Sequence, residues 1–175
     1  DRLAALHRYG VLDTEDEEAF DRITNLVKRL LDVPIALITL VDEERQWLKS
    51  CVGLERRETP REIAFCNHNV HTEDVMVVED ATVDPRFADN PLVTGPPRIR
   101  FYAGAPLVTE GGYALGALCA IDTEPRSLSA DDRATLETLA AVVVDAMTMR
   151  THYAREHEIL ENIGDGFVSL DADWR

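Results

Sequence analysis

The sequence predicts an α+β domain: an antiparallel β-sheet of about five to six strands with helices packed on it, and a long C-terminal exit helix. Three observations carry this reading. Apolar runs recur at 35–42, 46–52, 75–79, 100–108 and 114–121, the first of them rich in β-branched residues, each of strand length. Two pairs of these runs are joined by short turns, which makes hairpins and so an antiparallel sheet. Helical periodicity brackets the set, at 14–31 and again from Ser129, and helices at the two ends of a chain can share one face of a sheet.

The elements follow in order. Leu3, Leu6 and Tyr9 are spaced by three, and Gly10 ends this short lead-in helix. Thr14 and Glu17 read as a capping box, with acids in the first turn suiting the positive end of the helix dipole. Phe20, Ile23, Val27, Leu30 and Leu31 then recur at helical spacing, and Asp32-Val33-Pro34 stops the helix. Ile35–Asp42 reads as a central buried strand. Glu43-Glu44-Arg45 turns it into Gln46–Val52, which Gly53 ends. Residues 54–65 read as irregular and Phe65–Thr72 as a short helix. Val75–Glu79 is a third strand.

A long loop from Asp80 to Arg98 holds four prolines, and loops longer than ~15 residues are usually functional or disordered. Phe87, Leu92 and Val93 argue for packing of this one on the core. Arg100–Val108 and Ala114–Ile121 form the last hairpin, where Gly111-Gly112 suits a type I′ turn. Ser129 is the N-cap of the last helix. Its stripe of Leu136, Leu139, Val143, Met147, Tyr153, Leu160 and Ile163 can run to about Asn162, some 30 residues or ~45 Å. The narrow apolar seam of its second half suits a parallel coiled coil; two helices broken near Thr151-His152 is the alternative. Gly164-Asp165-Gly166 reads as its end and Phe167–Asp171 as a strand of another domain.

The chain of 175 residues carries 33 Asp and Glu against 18 Lys and Arg, a net charge of −15. That balance disfavours nucleic acid and anionic membrane surfaces as partners. An apolar share of 45% is ordinary for a folded domain, so the acidity is a surface property. Only Lys28 and Lys49 are lysines. A solvated surface and adaptation to high salt both account for this make-up. Three cysteines, Cys51, Cys66 and Cys119, form no disulfide framework and fit a reducing compartment. No run of ~18 apolar residues exists and the start lacks a signal peptide's apolar core, so a cytoplasmic location is expected. The missing initiator Met reads as the mark of a piece of something longer.

Several stretches together resemble the GAF domains of multi-domain sensors. They are Val33–Asp42, Glu58-Thr59-Pro60-Arg61, Phe65-Cys66-Asn67-His68, Asp84–Val93, Ile99–Leu107 and Leu115–Asp122. The similarity covers about residues 5–150 and is to the subgroup found in sensor histidine kinases of two-component systems and in diguanylate cyclases. The tail Glu158–Asp173 is similar to the opening of a PAS domain. The resemblance thus implies a GAF domain at 1–150, a signalling helix at 151–163 and the start of a PAS domain at 164–175. It implies a regulatory module without catalysis of its own, probing a small molecule or relaying a neighbour's state. Low-lysine acidity would fit a halophilic source, on resemblance alone. A ligand-free dimerisation and spacer module is the alternative reading.

The candidate pocket lies between the sheet and residues 65–99. Its candidates are Phe65, Cys66, His68, Asp80, Phe87, Asn90, Arg100 and Tyr102. An apolar cleft with convergent polar groups fits a small ligand, and the planar fork of Arg100 would suit an anion. Each also has a local explanation: Asp80 and Asn90 as turn formers, Phe87 as core. Leu139, Val143, Met147, Tyr153 and Leu160 are the candidate dimer seam, pairing N- and C-terminal helices in a homodimer. The expected partners are a second copy, the neighbouring PAS and output domains, and an unknown small molecule.

Other chemistry is weighed and set aside. Cys66, His68 and His71 are spaced by two and five, not the three and four that share a helix face, so no metal is expected. Bilin-binding GAF domains carry a Cys directly followed by His, whereas Asn67 follows Cys66 here, so no cofactor is expected. GAF-type methionine sulfoxide reductases need a cysteine pair within reach. Cys51 and Cys119 fall on different strands, and no close pair is expected. His157 lacks the residues that follow a phospho-acceptor histidine.

Overall fold

The computed structural model describes the backbone of residues 1–171 and the side chains of residues 1–162. The elements are α1 (Arg2–Arg8), α2 (Glu18–Leu31), β1 (Ile35–Val41), β2 (Arg45–Val52), β3 (Glu58–Pro60), α3 (Cys66–Asn69), β4 (Met76–Val78), α4 (Pro91–Thr94), β5 (Phe101–Val108), β6 (Ala114–Asp122) and α5 (Ala130–Asp171). The strands form one six-stranded antiparallel sheet in the order β3-β2-β1-β6-β5-β4. This is the α+β architecture with a long C-terminal helix that the sequence predicts. β1 is buried at all seven positions, because it is central and both of its faces are covered.

On one face, α1, α2 and α5 pack against the sheet. α2 presents Phe20, Ile23, Val27 and Leu31 at helical spacing, and Leu136, Ala140, Val143 and Met147 do the same for α5. α2 ends at Asp32, whose left-handed backbone (φ 52°) closes the helix. Arg126 donates to the carbonyls of Leu31 and Asp32 and satisfies two orphan acceptors there. On the other face, the segment between β3 and β5 folds over as a roof. A 3₁₀ turn at Arg61–Ile63 leads into α3, and α4 follows β4. Phe65, Phe87, Leu92, Val93 and Ile99 come down from this roof onto Leu37, Tyr102 and Ile121.

Several local readings are corrected. The capping box does not form. α2 begins at Glu18, because the Glu17 carboxylate is taken by Lys49 and Arg150, and the Thr14 hydroxyl donates to Val11 C=O while accepting from Lys49. Residues 58–60 are a strand rather than irregular chain, paired to Arg45–Trp47. The β5–β6 turn is not type I′, since only Gly112 has positive φ (80°). Gly112 N–H donates to Thr109 C=O and Thr109 N–H to Tyr113 C=O, which closes a three-residue loop with glycine at its left-handed position.

The exit helix is corrected in two ways. It is unbroken at Thr151-His152 and continues past Gly164 to Asp171. Residues 164–171 have no strand partner among the described residues, and a helix pairs its own N–H and C=O groups. The side chains of Phe167 and Val168, and residues 172–175, lie outside what is described, so the PAS start rests on the sequence. Second, the proposed seam divides between two faces. Val143 and Met147 are buried in this domain's core, and Leu139 is partly buried against it. Val142, Met149, Tyr153 and Leu160 are exposed. They follow the d, d, a, a positions of one heptad frame that Leu139 and Ala146 complete. A period near 3.5 merged the two faces in the sequence, because the core stripe and the exposed stripe are neighbours on the helix.

Candidate functional site

A small cavity of about 40 Å³ lies between the roof and the sheet. β1 contributes Leu37, β2 Gln46 and Leu48, and β5 and β6 contribute Tyr102 and Ile121; Phe65, Cys66, Leu92, Pro97 and Ile99 close it from above. Its volume is room for a few waters, far below the ~300 Å³ of a small-molecule site. A small molecule would fit there only with the roof displaced. The walls are mostly apolar, with Arg56, Thr59 and Gln46 as polar lining residues: Gln46 donates through Nε2 to Thr59 Oγ1 at 3.2 Å, while its buried Oε1 has no partner among the described residues. An unmet buried acceptor is costly, so the site offers a hydrogen-bond donor somewhere to go.

At the inner end, polar groups cluster around Tyr102. Its hydroxyl donates to Asn69 Oδ1 at 2.6 Å and faces Cys66 Sγ at 3.1 Å and Cys119 Sγ at 3.4 Å. Asn69 Nδ2 donates to Gly104 C=O at 2.8 Å, which fixes the amide. Phe65 stacks on Phe87 with centroids 4.0 Å apart and leans on Tyr102 at 5.2 Å. Burial, and then the charge that the neighbouring thiols can carry, pushes the Tyr102 hydroxyl well above its ordinary pKa, so it serves as a donor.

The sequence candidates are distributed as follows. Phe65, Cys66 and Tyr102 line the cavity, and Phe87 backs Phe65. His68 is exposed, edge-on to Phe87 at 5.0 Å; partial burial and the nearby Arg86 lower its pKa. Asp80 accepts from the backbone and side chain of Thr82. Asn90 accepts from Leu92 N–H as the N-cap of α4 and donates to Ile63 C=O. Arg100 donates to the carbonyls of Val93 and Ile99. These last three hold the roof together and do not face the cavity. No cluster of three or more potential metal ligands occurs among the described residues.

Sequence reasoning missed Gln46, Asn69 and Cys119. Gln46 and Cys119 sit on strands read simply as core. Asn69 carried a usable signal, since it follows Cys66 by three on one helical turn. The expectation of no close cysteine pair is also corrected: Cys66 Sγ and Cys119 Sγ are 3.1 Å apart. The pairing joins a roof helix to a central strand, which only the topology reveals.

The cavity's strand also reaches the exit helix. Leu48 faces the cavity, and the next residue, Lys49, points through the other face with a side chain only 1% exposed. Its Nζ donates to Thr14 Oγ1, Glu15 C=O and Glu17 Oε1 at 2.7, 2.8 and 2.7 Å. The same Glu17 oxygen accepts from Arg150 Nε of α5 at 2.7 Å. Arg150 also donates to Gly10 C=O, and Thr151 to Tyr9 C=O. Beyond Thr151, residues 152–162 are exposed. Burial raises the Glu17 pKa, but Lys49 and Arg150 outweigh it and hold the carboxyl below its ordinary value.

A roofed antiparallel sheet with an inner cavity and a helix leaving the opposite face defines a roofed-sheet type of α+β domain. The GAF domain family model matches residues 15–147, and the chain belongs to that family of signalling and sensor domains. A cyclic di-GMP phosphodiesterase of Pseudomonas aeruginosa is 45% identical over 164 residues, covering 92% of this chain. The chain spans 28% of that relative's length. Among solved structures, the GAF domain of an Acinetobacter phosphoenolpyruvate-protein phosphotransferase is similar with a TM-score of 0.64 at 19% identity, covering 88% of this chain and 97% of that one. A free methionine-R-sulfoxide reductase from Neisseria meningitidis, solved with its substrate, gives 0.63 at 18%, covering 88% and 94%. At these identities the two structures share the fold alone. No described helix is long and apolar enough to cross a membrane.

Proposed function

We propose that this chain is the non-catalytic input domain of a larger cytoplasmic signalling protein. It binds a small molecule under its roof and relays the event through the exit helices of a homodimer. One observation carries the reading: Glu17 Oε1 is shared by Lys49, next to the cavity-lining Leu48, and by Arg150, at the root of the exit helix. A shift of β2 that follows the roof's opening changes the seat of α5 through that one oxygen. The exposed seam of Val142, Met149, Tyr153 and Leu160 then receives a second copy of the same helix. The 45% relative favours cyclic di-GMP turnover as the output, over the histidine kinase that the sequence resemblance suggested.

A ligand-free spacer is the second reading, favoured by the small volume of the cavity. Thermal unfolding against a panel of metabolites and nucleotides separates the two. A ligand at 100 times its Kd adds about 2.7 kcal/mol, a rise of several degrees. That rise should vanish in Leu92→Trp, which fills the cavity from the roof. A rise that persists in the variant would place binding elsewhere, and a flat panel would favour the spacer.

A further inference from the structure

Cys66 of the cavity wall touches a second thiol, Cys119, and the sensing role uses neither. Cys66 Sγ and Cys119 Sγ are in contact at 3.1 Å, both buried, at 2% and 0% exposure. Cystine formation needs a further approach of about 1 Å. The two thiols are unlike. Burial raises both pKa values, but polar contacts with Cys119, Thr39 and Tyr102 outweigh it at Cys66 and hold that thiol below its ordinary value. Cys119, the partner beside that charge, is pushed well above it. Cys66 thus ionises more readily than Cys119, the asymmetry that disulfide formation uses. Access is selective by size: Cys66 lines the cavity, whose 40 Å³ admit a molecule of a few heavy atoms such as hydrogen peroxide and exclude a tripeptide disulfide. Cys51 is more exposed but differs in kind. It donates to Leu54 C=O at 3.1 Å, and burial raises its pKa.

We propose that Cys66 and Cys119 form a redox-responsive pair that a small hydroperoxide converts to an intramolecular disulfide. The Cys66 thiolate attacks one peroxide oxygen, the O–O bond breaks, and the departing hydroxide takes up the proton Cys66 released, leaving as water. Cys66 is then a sulfenic acid. Cys119 attacks the Cys66 sulfur, the S–O bond breaks, and hydroxide leaves with the Cys119 proton as a second water. Two thiols lose two electrons and one hydrogen peroxide becomes two waters. The bridge ties the roof helix α3 to the central strand β6. Its effect on ligand entry rests on the sensing role above; the bond itself does not.

The test treats the purified chain with hydrogen peroxide, alkylates the remaining thiols under denaturing conditions, and maps unreduced peptides by mass spectrometry. The expected result is a Cys66–Cys119 linked peptide lacking two hydrogens, a fall from three free thiols to one, and full recovery with dithiothreitol. Cys51→Ser should give the same linked peptide, its free thiols falling from two to none. Cys119→Ser should stop at a Cys66 sulfenic acid that dimedone traps, and if it does not fold, the Cys51→Ser result stands alone. Glutathione disulfide should leave Cys66 and Cys119 free. Oxidation confined to Cys51, a link through Cys51, or three intact thiols at excess peroxide would overturn the pair.

Discussion

The two faces of this sheet are closed by different means. On one, three helices lay long apolar stripes on the strands, and Leu6, Val27, Leu40, Leu118 and Val143 reach 0% exposure. On the other, the cover is a 3₁₀ turn and two four-residue helices, too short to be stable by themselves. Polar ties hold that cover: Asn90 to Ile63 C=O, Arg100 to Val93 C=O, and Arg61 to Asn67 and to the carbonyls of Asp42 and Glu43. Apolar side chains pack beneath the roof as well, but short helices tied by a few part-buried hydrogen bonds open locally more readily than long helices laid along the strands. The contrast fits the proposed division of labour, with ligand entry at the roof and output at the helices.

The largest test breaks the helix face at its ionic clasp. Glu17→Gln leaves the buried Lys49 ammonium without its counter-charge and should cost about 2 kcal/mol, read as a lower urea midpoint at pH 7. Loss below about 0.5 kcal/mol would mean that the clasp is ornamental. The same variant sharpens the pH dependence. An ionised Glu17 with a lowered pKa stabilises fully above the ordinary value of 4.5, and that contribution is lost as pH falls through the folded value. Glu17→Gln should therefore lose less stability than the parent between pH 5 and about pH 3. Asp42 and Asp84, shifted the same way, keep part of the acid slope.

A smaller effect is expected on the roof. Asn90→Ala removes the cap of α4 and the tie to Ile63, at about 1 kcal/mol. Its mark is local: amides of 61–99 should exchange faster with solvent while β1 and β6 keep their protection. Uniform acceleration across the sheet would erase the distinction between the faces. The smallest effect on folding belongs to Leu160→Glu, on the exposed end of α5, within about 0.5 kcal/mol. In sedimentation it should shift the chain toward monomer, whereas unchanged sedimentation would remove the seam from the relay.

The sequence made the periodic parts of this molecule legible. The stripe of α2, the run of β1 and the hairpin of β5 and β6 each declare themselves within about two dozen residues. What it hid depends on distant partners. β3 is three residues that are a strand only because Arg45–Trp47 lie beside them. The Thr14 and Glu17 pair has every local mark of a capping box, yet a lysine 32 residues from Glu17 claims it. α4 did carry a signal in Asn90-Pro91, an N-cap followed by the residue best suited to the first helical position. At the site, the aromatic and sulfur groups near the roof could be guessed from their place beside a long loop. Gln46 could not, because a polar residue inside a strand shows its unmet oxygen only when the roof closes over it.

The burial of Lys49 has a practical consequence. The chain has two lysines, and Lys49 is the one sealed beneath Thr14, Glu15 and Glu17, so Lys28 is the only side-chain amine a surface acylating reagent meets while the clasp is shut. Acylation at Lys49 thus becomes a chemical clock for the clasp, ticking only when β2 and the exit helix let go of Glu17. Against so quiet a background of amines, ligand or oxidant could be scored by whether that one lysine takes the label.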